Sequence, residues 1–140
     1  MEPSPDCPIG AAVDVLGDRW SLLVLRDVIF EDRRYFRALL TASPEGIASN
    51  ILADRLVRLV DAGVLSRCSG ARGQRIRYSL TEAGIQTVPI LCALSTWGLE
   101  RQTTGSGRQR RYELLRDGGP VVIAELMDDL RGRHLDAADA

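Results

Sequence analysis

The stretch GIASNILADRLVRLVDAGVL, residues 46–65, decides how this chain is read. Wound as a helix over 48–62, it places Leu52, Leu56, Leu59 and Val60 on one face, which is a core seam. Ser49, Asn50, Ala53, Asp54, Val57 and Asp61 fall on the other side, and Arg55 and Arg58 flank it. The first half of that outer face is small and polar. Such a surface enters a DNA major groove without clashing, and an Asn side chain bonds adenine N6 and N7 together. The positive N-terminal end of the helix suits phosphate. Gly63 stands where a C′ glycine ends a helix. Asp54 is the discordant residue, because phosphates repel a carboxylate. It either accepts from cytosine N4 or pairs with Arg58 four residues on, and the pairing is the simpler reading.

The flanking sequence supplies the rest of a small domain. Pro8 suits the first turn of a short helix over 8–16 that ends at Gly17 and has Ile9, Val13 and Leu16 as its stripe. Asp18 caps a second helix over 20–30, apolar most of the way round and therefore central. A third helix over 34–42 is broken by SPEG, residues 43–46, which makes the third helix and 48–62 the two halves of a helix-turn-helix. After Gly63 the period changes to two. VLSRCS, the turn GARGQ and RIRYSL form a hairpin wing over 64–80 that carries Arg67, Arg72, Arg75 and Arg77. Thr81 caps a long helix over 81–101, which Pro89 should kink. Residues 103–111 are a polar linker, and Pro120 opens a last helix over 120–133. The expected fold is mainly α with a small β-hairpin, a homodimeric winged helix-turn-helix. Residues 1–102 form the DNA-binding and dimerisation domain, and 103–140 a linker plus an acidic helical extension.

Composition narrows the function. All 18 basic residues are Arg. Residues 19–77 hold eleven Arg against six acids, while 112–140 hold three against seven. A basic middle beside an acidic end favours a polyanion partner. No apolar run approaches the ~20 residues of a membrane span, and MEPSPDCPIG lacks a basic leader, so a cytoplasmic location is expected. Cys7, Cys68 and Cys92 match no zinc spacing, so neither a metal nor a cofactor is expected. The sequence has no Gly-rich phosphate loop and no G-x-S-x-G. Its one histidine, His134, falls in a polar terminal segment read as solvated, so an enzyme is not expected.

Four segments together resemble the HxlR family of bacterial winged-helix regulators, relatives of the MarR-type fold. They are CPIGAAVDVLGDRWSLLVLRD (7–27), DRRYFRALL (32–40), EGIASNILADRLVRLVDAGVL (45–65), and YSLTEAG with the apolar helix ending in Trp97-Gly98 (78–98). The resemblance spans about 7–101. It implies a homodimeric transcription factor on double-stranded, near-palindromic DNA, with dimer contacts from the first and last helices. Carried onto this chain, those contacts are Ile9, Val13, Leu94 and Trp97, although Trp97 reads equally well as intramolecular core. Ser49, Asn50 and Arg55 match the recognition motif, and specificity is expected from Ser49, Asn50 and Ala53. Arg72, Arg75 and Arg77 match the wing, and Arg33 and Arg34 match phosphate contacts. Glu31 departs from the pattern, standing where the family has a Gly after the second helix, and the chain continues some forty residues beyond the Trp helix.

Some members of that family sense oxidants through the Cys matching Cys7. Here Cys7 precedes a helix whose dipole favours thiolate, while Asp6 opposes it. A plain capping role is the simpler reading. Cys68 and Cys92 are expected to be buried and inert. A small-molecule or oxidant effector is left open by the sequence, as is a winged-helix protein–protein module without DNA. The basic wing speaks against the latter.

Overall fold

The computed structural model describes residues 6–69, 75–102 and 109–135. The described chain runs α1 (Pro8–Leu16), α2 (Arg19–Phe30), α3 (Phe36–Ala42), α4 (Ser49–Asp61), β1 (Leu65–Ser69), β2 (Ile76–Leu80), α5 (Glu82–Ile85), α6 (Val88–Leu99) and α7 (Gln109–His134). It divides into two compact units, Met1–Thr81 and Glu82–Ala140. The sequence places its division further on, after residue 102.

The first unit is built around α2 and α4. Asp18 starts α2 as expected: its carboxylate accepts the amides of Trp20 and Ser21 at 3.0 Å each. Val24, Leu25, Val28 and Ile29 from α2 are buried with Leu39 of α3 and Leu52, Leu56 and Leu59 of α4. Truncating any of these leucines to Ala removes a fully desolvated side chain, at about 2–5 kcal/mol. α4 ends at Ala62, and Gly63 follows with φ +76, a left-handed conformation that costs a Cβ-bearing residue energy. The Val64 amide then donates to Leu59 O at 2.9 Å and starts the hairpin.

β1 and β2 pair antiparallel, with Leu65 opposite Leu80 and Ser69 opposite Ile76. A third short segment joins them. Tyr35 bridges Arg77, and the Tyr78 amide donates to Arg34 O at 2.8 Å. The pairing explains why α3 begins at Phe36 rather than near 34: residues 34 and 35 are extended against the wing. The turn after α2 carries its left-handed residue at Asp32, φ +51, while Glu31 stays at φ −111. The residue that takes the strained conformation is thus one position beyond the one flagged from sequence.

In the second unit the single kinked helix over 81–101 is replaced by two. A proline inside a helix removes one hydrogen bond and clashes with the preceding turn. The chain instead breaks at Gln86 and Thr87 and restarts as α6, with Pro89 in its first turn. Thr81 stands directly before the first of the two, α5, and its hydroxyl donates to the carbonyls of Gly63 and Val64. α7 packs on α6 and α5 and is interrupted at Gly119 (φ +65, ψ −155), so Pro120 does open its second half. Leu115, Leu130 and His134 are buried along it, and Arg131 forks onto Glu82 at 2.7 and 3.1 Å. His134 is fully buried, not solvated: at one helical turn past Leu130 it shares that residue's inward face.

Candidate nucleic-acid interface

α4 turns its polar side outward as its pattern requires. Ser49, Asn50, Ala53, Asp54, Val57, Arg58 and Asp61 are exposed, and Leu52, Leu56 and Leu59 are buried at 1% or less. The N-cap position is Ala48, whose side chain bonds none of the first-turn amides. Those amides point outward beside Ser49 and Asn50, with the positive end of the helix dipole behind them.

The approach of α3 to α4 is set by a charge cluster. Arg26 of α2 forks onto Glu45 in the turn between them, at 2.6 and 2.7 Å, and onto Asp27 at 2.8 and 2.9 Å. The Arg26 hydrogen bonds hold the Glu45 carboxyl at about 2, well below its ordinary range. Asp27 is only 2% exposed and takes Arg33 at 3.1 Å as a second cation. A carboxylate so buried needs this compensation.

The arginines expected on DNA therefore fall into two groups. Arg33 is engaged with Asp27, and Arg34 donates to Tyr78 O at 3.1 Å and to Ser79 Oγ, so both brace the fold. Arg55 is held by Asp18 at 2.9 Å and Asp54 at 2.6 Å. Burial alone would raise the Asp18 carboxyl, but hydrogen bonds from Ser21 and Arg55 outweigh it and hold it at about 2. The nearest partner of Asp54 is Arg55, with Arg58 at 3.8 Å, so the simpler reading of Asp54 has the right kind of interaction but a different principal partner. Arg58 and Arg75 are exposed, and Arg75 lies over the Tyr35 ring at 4.1 Å. Arg77 is half-buried in β2. Arg72 lies outside the described residues. Arg67 of the wing is exposed on β1, and a further exposed cation that the sequence does not single out is Arg37 on α3. Its place in the first half of the helix-turn-helix was the available signal.

The helices expected at a subunit contact are left uncovered. α1 has no buried residue, with Ile9 75% and Val13 54% exposed. On α6, Leu94 is 48% and Trp97 62% exposed, and they line an apolar groove with Pro89, Ile90 and Ala93. Trp97 is thus not intramolecular core; Arg101 stacks on its ring at 3.8 Å. Cys7 caps α1, its Sγ accepting the Gly10 amide at 3.2 Å. Cys68 is half-buried rather than buried, and Cys92 is buried, which pushes its thiol up. Among the described residues no cluster of His, Cys, Asp or Glu fits a metal, and no helix is long and apolar enough to cross a membrane.

Two leading helices, a helix-turn-helix formed by α3 and α4, and a two-stranded wing define a winged helix-turn-helix protein. Residues 15–106 match the model of the HxlR-like helix-turn-helix family. The chain belongs to that family. The uncharacterized HTH-type transcriptional regulator Rv3095 of Mycobacterium tuberculosis is 36% identical over 93 residues, covering 66% of this chain and 57% of the relative. This chain therefore spans little more than half the length of that mycobacterial protein. The uncharacterized HTH-type transcriptional regulator YvaP of Bacillus subtilis is 32% identical over 102 residues, covering 71% of this chain and 93% of its own length. The solved structure of PA1607, assigned as a transcription factor, superposes with a TM-score of 0.66 at 35% identity, over 74% of this chain and 72% of that one. These relatives are named as regulators, not as enzymes.

Proposed function

We propose that two copies of this chain form a two-fold dimer that binds a near-palindromic DNA site in the cytoplasm and regulates transcription from it. The carrying observation is the outer face of α4, where a small polar patch of Ser49, Asn50 and Ala53 stands exposed beside uncapped helix amides. In the major groove these side chains read base edges, with Asn50 suited to adenine. Arg58, Arg67, Arg75 and Arg77 supply phosphate or minor-groove contacts, with Arg72, which lies between the two strands in sequence, as a further candidate. Arg33, Arg34 and Arg55 act indirectly, by fixing the helices and wing that make those contacts. The uncovered apolar faces of α1 and α6 support the dimer, with Ile9, Val13, Leu94 and Trp97 in its contacts. Half-site centres then lie about 10 bp apart.

The test is capture of genomic fragments by the purified protein at two salt concentrations, with and without oxidant. Enrichment of a palindromic fragment that weakens with salt is expected. Asn50→Ala should relax base preference, whereas Arg75→Ala should weaken all sequences alike and flatten the salt slope by about one. No enrichment under any condition refutes the reading in favour of a protein-interaction module. A difference on oxidation would assign Cys7 a sensing role.

A further inference from the structure

Arg55 bridges two carboxylates on different helices. Its Nε donates to Asp18 Oδ1 at 2.9 Å, and its NH1 donates to Asp54 Oδ2 at 2.6 Å. Successive residues on a helix do not face each other, so the Arg55 guanidinium turns back along α4 to meet its own neighbour. Asp18 holds it in that posture. The same Asp18 oxygen is fixed by the amides of Trp20 and Ser21, and the Arg55 side chain is only 20% exposed. A planar fork occupied on two edges keeps little rotamer freedom, so the carboxylate it grips is held as well.

Asp54 is 55% exposed at its side chain and shares the outer face of α4 with Asn50 and Ala53. Its Oδ2 is taken by Arg55, with Arg58 at 3.8 Å, while among the described residues nothing donates to Oδ1. The charges of Asp18, Arg55, Asp54 and Arg58 cancel. An acceptor is therefore presented on the groove-facing side of α4 without a net negative charge to oppose phosphate. In the major groove the donor that a fixed carboxylate selects is cytosine N4, since the adenine N6 donor stands beside the N7 acceptor, which repels a carboxylate, and guanine and thymine offer only acceptors or a methyl group there.

We infer that Asp54 is a specificity-determining residue that accepts from cytosine N4, and that Asp18, acting through Arg55, is the positioning residue for its carboxylate. The inference rests on the DNA-binding reading above. It separates Asp54 from an ordinary surface ion pair, which would leave base preference untouched.

The experiment is selection from a randomised duplex library by the full chain, wild type against Asp54→Asn and Asp18→Asn. Wild type should fix one cytosine per half-site. Asp54→Asn should lose that cytosine by about tenfold and shift toward adenine, whose N6 and N7 an amide pairs. Asp18→Asn keeps a competent N-cap for α2 while weakening the anchor of Arg55. It should narrow the cytosine preference severalfold while leaving helix content and affinity for random-sequence DNA at wild-type levels. Binding of wild type to a defined site with Asp54→Asn weakening every base alike, or changing none, overturns the role of Asp54. A base shift in Asp54→Asn with none in Asp18→Asn overturns the positioning role alone. Failure of wild type to select any site refutes the DNA-binding reading, and this one with it.

Discussion

Glu45→Gln tests the cluster that sets the helix-turn-helix. The substitution keeps size and hydrogen-bonding atoms but removes the charge facing Arg26. On folding, the Glu45 carboxyl falls from 4.5 to about 2, chiefly through the Arg26 hydrogen bonds. At 1.36 kcal/mol per pH unit the full linkage is about 3 kcal/mol. The side chain is 23% exposed, and water screens part of the interaction. Arg26 also retains Asp27, so no buried cation is orphaned. Together these bring the expected loss to about 1–2 kcal/mol at pH 7. The sign follows from the lowered folded value. The stabilisation is complete above the unfolded carboxyl range and is lost as pH falls from about 4.5 through about 2. Urea unfolding followed by circular dichroism at pH 7, 5, 4 and 3 measures it. The wild type should be more stable at pH 7 and 5, and the two proteins should converge as the solution is acidified. An offset that stays constant across that range, or none at pH 7, would refute the argument that the Arg26–Glu45 charge pair stabilises this turn.

Gly63→Ala should cost about 1 kcal/mol in the same assay, because φ is +76 while an added Cβ meets no atom within 4 Å. Any much larger loss would mean that packing, not backbone conformation, decides the site. Leu94→Arg places a charge on the exposed apolar face of α6; sedimentation should show a monomer with unchanged helix content, and a persistent dimer would move the contact elsewhere. Alkylation of the native protein should modify Cys92 last, since burial both covers its thiol and disfavours the thiolate, and early modification of Cys92 would contradict its packing.

The parts of this molecule that follow local rules were legible from the chain alone. α1, α2 and α4 begin and end where Pro8, Asp18 and Gly63 mark them, because caps and fixed dihedrals are properties of one or two residues. The change of period after Gly63 gave the hairpin for the same reason. What sequence could not give was the destination of long charged side chains. Arg33, Arg34 and Arg55 look like their exposed neighbours in a one-dimensional pattern, yet each meets a partner supplied by another element: Asp27, the β2 strand and Asp18. The break between α5 and α6 was misjudged in a related way, since Pro89 signals interference with a helix without saying whether the chain bends or restarts.

That difference matters for how such a protein reads DNA. A single exposed arginine supplies charge to any polyanion and falls off with salt. An arginine held on both edges gives up most of that freedom and instead fixes a neighbour. In α4 both kinds occur: Arg58 is exposed, and Arg55 is withdrawn between Asp18 and Asp54. On the proposed reading, affinity and selectivity fall to residues three apart on one helix. It follows that removing Arg58 should lower binding to every sequence with the same preference retained, whereas Arg55→Lys, which keeps the charge but lacks the two-edged fork, should leave the salt slope unchanged and blur the preference. If both substitutions act on the salt slope alone, Arg55 is an ordinary phosphate contact, and its pairing with Asp18 is incidental to recognition.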